Sequence, residues 1–237
     1  MDNGIPIFPM GVIQIYNNPN PPVYKSDFKF TGQGGNNPNT TQFGDELPNI
    51  VNRPEMNELK TWFESCVKDY LDNVMTIAYD EFWIHESWIN EAHPGSSQNM
   101  HNHGNSIISG VYYFDSHPNQ PPLNFEKVAF NTDPFMSLRK HYNRANPNFT
   151  NQLSFPCTKG SLIMFNSYLY HGFGKNTTDH KRVSLAFNIL ANLSDRDHYK
   201  LKFEKEERFF NNETTEYQVQ GGTSDSAIAR KMSKWNT

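Results

Sequence analysis

The chain has little cysteine: two residues in 237, Cys66 and Cys157, far apart and in no CxxC pair. That excludes a disulfide framework and a thiolate metal cluster. The two read as free thiols of a reduced protein in the cytoplasm. There is no run of 18 apolar residues, so no membrane-spanning helix is expected. The opening, MDNGIPIFPMGVIQIYNN, has neither the basic start nor the apolar core of a signal peptide. Basic residues are not concentrated anywhere and the formal net charge is −4, which argues against a nucleic-acid groove. Helical periodicity is scarce as well, and there is no internal repeat.

Aromatic residues, by contrast, are plentiful: 14%, with 18 Phe and 11 Tyr, in a chain that is 36% hydrophobic. Such a chain can bury a core, and the aromatics lean it toward β structure. Residues 5–16 read as a short opening strand broken by proline. Residues 17–50, rich in Asn, Pro and Gly, read as a long loop with a short strand at 24–30. The one helical pattern covers residues 54–72. Pro54 suits a first helical position, and Met56, Leu59, Phe63, Cys66, Val67 and Tyr70 form a stripe for one-sided packing.

After Ala78 the pattern is strands: FWIHESWIN, SIISGVYYF, PLNFEKVAF, SLIMFNSYLY and RVSLAFNIL, separated by turn residues. This predicts a mainly β sandwich or jelly roll. Residues 131–152 form a polar insertion expected over one rim. The chain turns polar after residue 193, with one strand at 199–203 and a mobile or helical end from Gly221.

The candidate chemistry begins at QNMHNHGNSIISGVYYF, residues 98–114. His101 and His103 stand at i and i+2, on one side of an extended segment. Chance alone gives about 0.3 such pairs in this composition, so a third ligand is needed. His171, at the end of SLIMFNSYLYH before Gly172 and Gly174, is the best placed. In the strand RVSLAFNIL, Val183, Leu185, Phe187 and Ile189 face one way. Arg182, Ser184, Ala186 and Asn188 face the other. That second face suits a cavity wall, with Arg182 and Ser184 as donors to a carboxylate. One of Tyr112 and Tyr113 should look into the same cavity, and Gln98 and Asn99 are candidates to steady a histidine. His85, His93, His117, His141, His180 and His198 read as surface or loop residues.

The order of these motifs, a histidine pair before SGVYYF, then KGSLIMFNSYLYHGFGKN, then RVSLAFN, resembles the 2-oxoglutarate/Fe(II)-dependent oxygenases of bacteria and bacteriophages. The likeness covers roughly residues 5–190. It implies a double-stranded β-helix (jelly roll, cupin-like) domain over 1–192, supported by the 54–72 helix, with a polar extension over 193–237. It implies Fe(II) on His101 and His171, and the far carboxylate of 2-oxoglutarate on Arg182 and Ser184. O₂ and an unidentified substrate would complete a hydroxylase, in a host-cell cytoplasm if phage-encoded.

The chain departs from that pattern at His103, where the superfamily usually has Asp or Glu. Three histidines still leave open positions on a metal, without an anionic ligand. His103 is the expected third ligand, with Asp115 or Glu126 as carboxylate alternatives. Two other functions stay open: a three-histidine cupin-like iron dioxygenase that does not use 2-oxoglutarate, and a non-enzymatic jelly-roll module such as a phage structural or attachment protein.

Overall fold

The structure is a computed structural model, and it describes residues 12–24, 32–34, 40–43, 49–126, 152–195, 199–203, 207–210 and 217–220. The chain divides into two compact units, residues 1–203 and 204–237. In the second unit, β-strands Glu207–Phe210 and Tyr217–Gln220 form an antiparallel hairpin. The first unit holds the other described strands and the helix.

Its strands are β1 (Ile13–Asn17), β2 (Gly32–Gly34), β3 (Thr40–Phe43), β4 (Tyr79–Ala92), β5 (Gln98–His101), β6 (Ile108–Tyr113), β7 (Leu123–Glu126), β8 (Gln152–Phe155), β9 (Ser161–Asn166), β10 (Tyr170–Phe173), β11 (Arg182–Asp195) and β12 (Tyr199–Leu201). One large antiparallel sheet runs β1-β9-β6-β11-β4-β3-β2, with β12 paired to the end of β11. A small sheet runs β5-β10-β7-β8. From β4 onward the chain crosses back and forth: β4 large, β5 small, β6 large, β7 and β8 small, β9 large, β10 small, β11 large. This alternation between two facing sheets is the double-stranded β-helix that the sequence motifs imply.

The helical segment starts with a 3₁₀ turn at Pro54–Met56, continues as helix α1 (Asn57–Asp69), and ends in a π-helical stretch, Tyr70–Met75. Thr76 closes it in the left-handed conformation, φ 51°. The whole apolar stripe expected of this segment is buried. It packs on the outer face of the large sheet with Ile84, Ile89, Ile108, Tyr112, Leu185, Phe187 and Ile189. A second, smaller core lies between the two sheets and holds Val111, Tyr113, Leu123, Phe125, Ile163 and Phe165. The alternation of β11 is therefore read correctly: its odd residues meet the helix, its even residues the space between the sheets.

Several expectations are corrected. SLIMFNSYLY is not one strand. β9 stops at Asn166, where the chain turns: Leu169 N donates to Asn166 O at 2.9 Å, and Ser167 N to Ile107 O at 3.0 Å. β10 then enters the small sheet. Four short strands carry no clear pattern: β2 and β3 lie inside the stretch 17–50 expected as loop, β5 is the polar QNMH, and β8 begins on the last residue of the polar insertion. β1 covers 13–17, Tyr24 is in no strand, and residues 1–11, 25–30, 131–151, 198 and 221–237 lie outside the described residues. No helix among the described residues is long and apolar enough to cross a membrane.

Candidate metal centre

The register of β10 on β5 sets His171 directly against His101. The pairing depends on Gly172. A Cβ there would lie 2.7 Å from Gln98 O and 2.9 Å from Asn99 O, so only glycine lets the two strands approach so closely. His103 follows β5 in a loop that its own backbone fixes, His103 N donating to Ser167 O at 2.9 Å. The three imidazoles converge. Ring centroids are 4.4 Å apart for His101–His171, 5.0 Å for His101–His103 and 5.1 Å for His103–His171. One nitrogen from each lies within 4.8 Å of the others, the only such group of His, Cys, Asp or Glu among the described residues. A shared ion at about 2.1 Å from each nitrogen would draw them closer together.

Two of the three are oriented by backbone carbonyls. His101 Nδ1 meets Asn99 O at 3.0 Å and His171 Nδ1 meets Leu169 O at 2.9 Å. A carbonyl only accepts, so both Nδ1 atoms carry the proton, and both Nε2 atoms present a lone pair. Burial, with the charge of His101 beside it, pushes His171 down to about 3 and His103 down to about 4. At neutral pH both are uncharged, the form a metal needs. The donor set therefore fits a transition metal.

The opposite wall of the same cavity carries Arg182 and Ser184, both from β11. Arg182 is 2% exposed. Its Nη2 donates to Tyr113 Oη at 2.9 Å and its Nε to Cys157 Sγ at 3.2 Å. Its guanidinium also lies over the rings of Phe173 (4.2 Å) and Tyr113 (4.9 Å). Among the described residues no carboxylate forms an ion pair with it. A buried cation compensated only by neutral groups is costly, and an anion entering the cavity would meet it. Tyr113 is thus the tyrosine that faces inward, while Tyr112 packs against the helix. The cavity itself is narrow, about 20 Å³, room for little more than one water.

Neither carboxylate alternative reaches the histidines. Asp115 pairs with His117 at 3.2 Å. Glu126 is exposed, since its neighbour Phe125 takes the place opposite His171. A carboxylate the sequence did not single out, Glu86, reaches His103 through Asn188, to which it is bonded at 2.5 Å. Asn188 stands in the polar row expected of β11, so its place was legible, but its partners across β4 and β6 were not. Asn99 steadies His101 through its backbone, and Gln98 lines the cavity. His85 is a strand residue bonded to Ser106, and His117 stacks on His180 at 3.9 Å.

Among solved structures, HygX from Streptomyces hygroscopicus, with nickel, 2-oxoglutarate and hygromycin B bound, is similar at 14% identity and TM-score 0.49, over 75% of this chain and 82% of that one. A 2OG-Fe(II) oxygenase family oxidoreductase from Burkholderia pseudomallei gives 13% and 0.47, over 68% and 72%. A prolyl-4-hydroxylase from Pseudomonas putida gives 12% and 0.42, over 63% and 70%. No curated protein matches the chain. Residues 86–188 match the model of the family described as "Putative 2OG-Fe(II) oxygenase", and that stretch holds the three histidines, Arg182, Ser184 and every residue bonded to them above.

Proposed function

We propose that this chain is an Fe(II)- and 2-oxoglutarate-dependent dioxygenase that hydroxylates an organic substrate. One observation carries the reading: three converging imidazoles, and a buried arginine that no carboxylate among the described residues pairs with, face the same cavity. The family match over residues 86–188 supports it. Iron with 2-oxoglutarate and O₂ supplies the oxidising chemistry, 2-oxoglutarate leaving as succinate and CO₂ while one oxygen goes to the substrate.

The chain's own residues do the rest. His101 and His171 offer their Nε2 atoms to the metal, and His103 lies beside them on the same side of the cavity. Arg182 and Ser184 take the far carboxylate of the cosubstrate, and Tyr113 holds the guanidinium from behind. Phe173 and Phe165 keep water from the charged groups. The cavity is small for a five-carbon dianion, so the side chains around it part on binding, and the Arg182–Cys157 contact is the one most readily exchanged for a carboxylate.

The donor set, all imidazole, also favours a second reading: a three-histidine dioxygenase in which Arg182 grips a carboxylate of the substrate itself. One experiment separates them. Fe(II) and then 2-oxoglutarate are added without oxygen to metal-free protein, and the visible charge-transfer band is followed. The expected band needs both components, and Arg182→Ala weakens 2-oxoglutarate binding about 10- to 100-fold, the worth of a charged hydrogen-bonded anchor. Metal binding without a band moves the function to the second reading. Neither metal binding nor a band leaves a non-enzymatic jelly roll.

A further inference from the structure

His103 is not held as the other two histidines are. Its Nδ1 lies 3.2 Å from Asn188 Nδ2. An amide NH₂ only donates, so here Nδ1 accepts, and a neutral ring then carries its proton on Nε2. Neither nitrogen offers a free lone pair. The question is whether Asn188 could simply turn over.

Its surroundings oppose that. Asn188 is 1% exposed, so water cannot replace a lost partner. Its Oδ1 accepts from Ser109 Oγ at 2.6 Å, and that hydroxyl is in turn 2.8 Å from Ser167 Oγ. Its Nδ2 also donates to Glu86 Oε1 at 2.5 Å. A carboxylate has only acceptors, so a turned amide would set oxygen against oxygen. The arrangement is built into the sheet: Glu86 on β4, Asn188 on β11 and Ser109 on β6 are direct cross-strand partners in one row. The row supplies three neighbouring groups in fixed register, and the carboxylate at its end decides which way the amide points.

We propose that Glu86 and Asn188 are positioning residues that hold His103 with its proton on Nε2. His103 is then a hydrogen-bond donor to whatever occupies the open face of the metal, and protein ligation rests on His101 and His171. This deepens the metal-dependent reading above and rests on it. It also gives the missing carboxylate ligand a physical counterpart: the acidic group is present, one residue removed, and acts through an amide.

The test uses Co(II) as probe. Co(II) is added to the metal-free protein and the hyperfine-shifted proton resonances are recorded. Each ligating imidazole with an Nδ1–H gives one such resonance that disappears in D₂O. Two are expected in the wild type, from His101 and His171. His103→Ala should keep both and lower Co(II) affinity less than about tenfold. His101→Ala and His171→Ala should each lower it about 100-fold or more. In Glu86→Gln the new amide can donate to Asn188 Oδ1, the Asn188 amide turns, and His103 Nδ1–H donates to it. Nε2 is freed and a third exchangeable resonance appears. Three resonances in the wild type, or an affinity loss in His103→Ala equal to that in His101→Ala, overturn the proposal. A Glu86→Gln spectrum unchanged from wild type overturns the part assigned to Glu86. A wild type that binds no Co(II) removes the metal-dependent reading itself, a result distinct from all of these.

Discussion

Gly172→Ala is the substitution whose consequence the structure specifies most closely. The added methyl would sit 2.7 Å from Gln98 O, 2.9 Å from Asn99 O and 3.1 Å from Asn99 C. Ordinary contact begins near 3.4 Å, so β5 has to retreat by about 0.7 Å at its closest point. All three atoms are backbone, and no rotamer change relieves the clash. Overpacking of this kind costs about 1–3 kcal/mol. The retreat falls on the strand that carries His101, in register with His171. Metal affinity should therefore fall about 10- to 100-fold, as it does when ligands are displaced by a fraction of an ångström. Gly174→Ala is the matched control: a Cβ there meets nothing within 4 Å, and the loss of unfolded-state entropy makes it neutral to slightly stabilising, by up to about 1 kcal/mol. Urea unfolding of both variants and Co(II) titration of both measure the two effects. Gly172→Ala with wild-type stability and wild-type metal affinity would refute the claim that this close approach creates the histidine pair.

Two further predictions use the same molecule. In the metal-free protein His171 and His103 are held below the ordinary histidine value, at about 3 and about 4. The folded state thus binds fewer protons than the unfolded one. The stability linked to these groups is complete above about pH 6.5 and is lost as pH falls toward 3–4, on the order of 3 kcal/mol for each. Denaturant unfolding across pH 7 to 4 checks this, and His171→Gln should flatten the curve; a variant curve as steep as wild type would show that the loss arises elsewhere. Phe63→Ala empties the centre of the core between α1 and the large sheet, where the ring touches Phe187 (4.8 Å) and Tyr112 (5.4 Å). It should cost about 3–5 kcal/mol and leave Co(II) affinity within about threefold wherever the protein is folded, read from a thermal melt and the same titration.

What could be read from the sequence follows the reach of each signal. The α1 stripe and the two faces of β11 are local periodicities, and every residue assigned by them lies where expected. The separation of His101 from His103 by one residue is local too. The corner at Ser167 is not: SLIMFNSYLY is apolar throughout, and only the crossing from one sheet to the other divides it. Glu86 was missed for a similar reason. It stands in a strand whose parity shifts at a bulge near His85, between the pairs Asn188↔Glu86 and Ile189↔Ile84, and no single-strand pattern can follow that shift. Tyr113 and Tyr112 are indistinguishable by composition, and only the placement of the helix on one side tells them apart. Asp115 and Glu126 drew attention as carboxylates near the right strands, but pairing turns one toward His117 and the other toward solvent.

The two cores explain how the chain tolerates such a site. A buried arginine that no carboxylate among the described residues pairs with, and three buried or half-buried imidazoles, weaken the space between the sheets. The other face of the same strands meets α1, where Phe63, Tyr70, Leu71, Ile89, Leu185 and Phe187 are fully buried. Burying each of those side chains is worth about 1.5–3 kcal/mol. β11 belongs to both layers at once: Val183, Leu185 and Phe187 anchor it to the helix, while Arg182, Ser184 and Asn188 are held rigid between them on the opposite face. Stability and chemistry are divided by strand parity, residue by residue. The polar groups of the cavity can thus keep fixed positions without a large apolar core of their own.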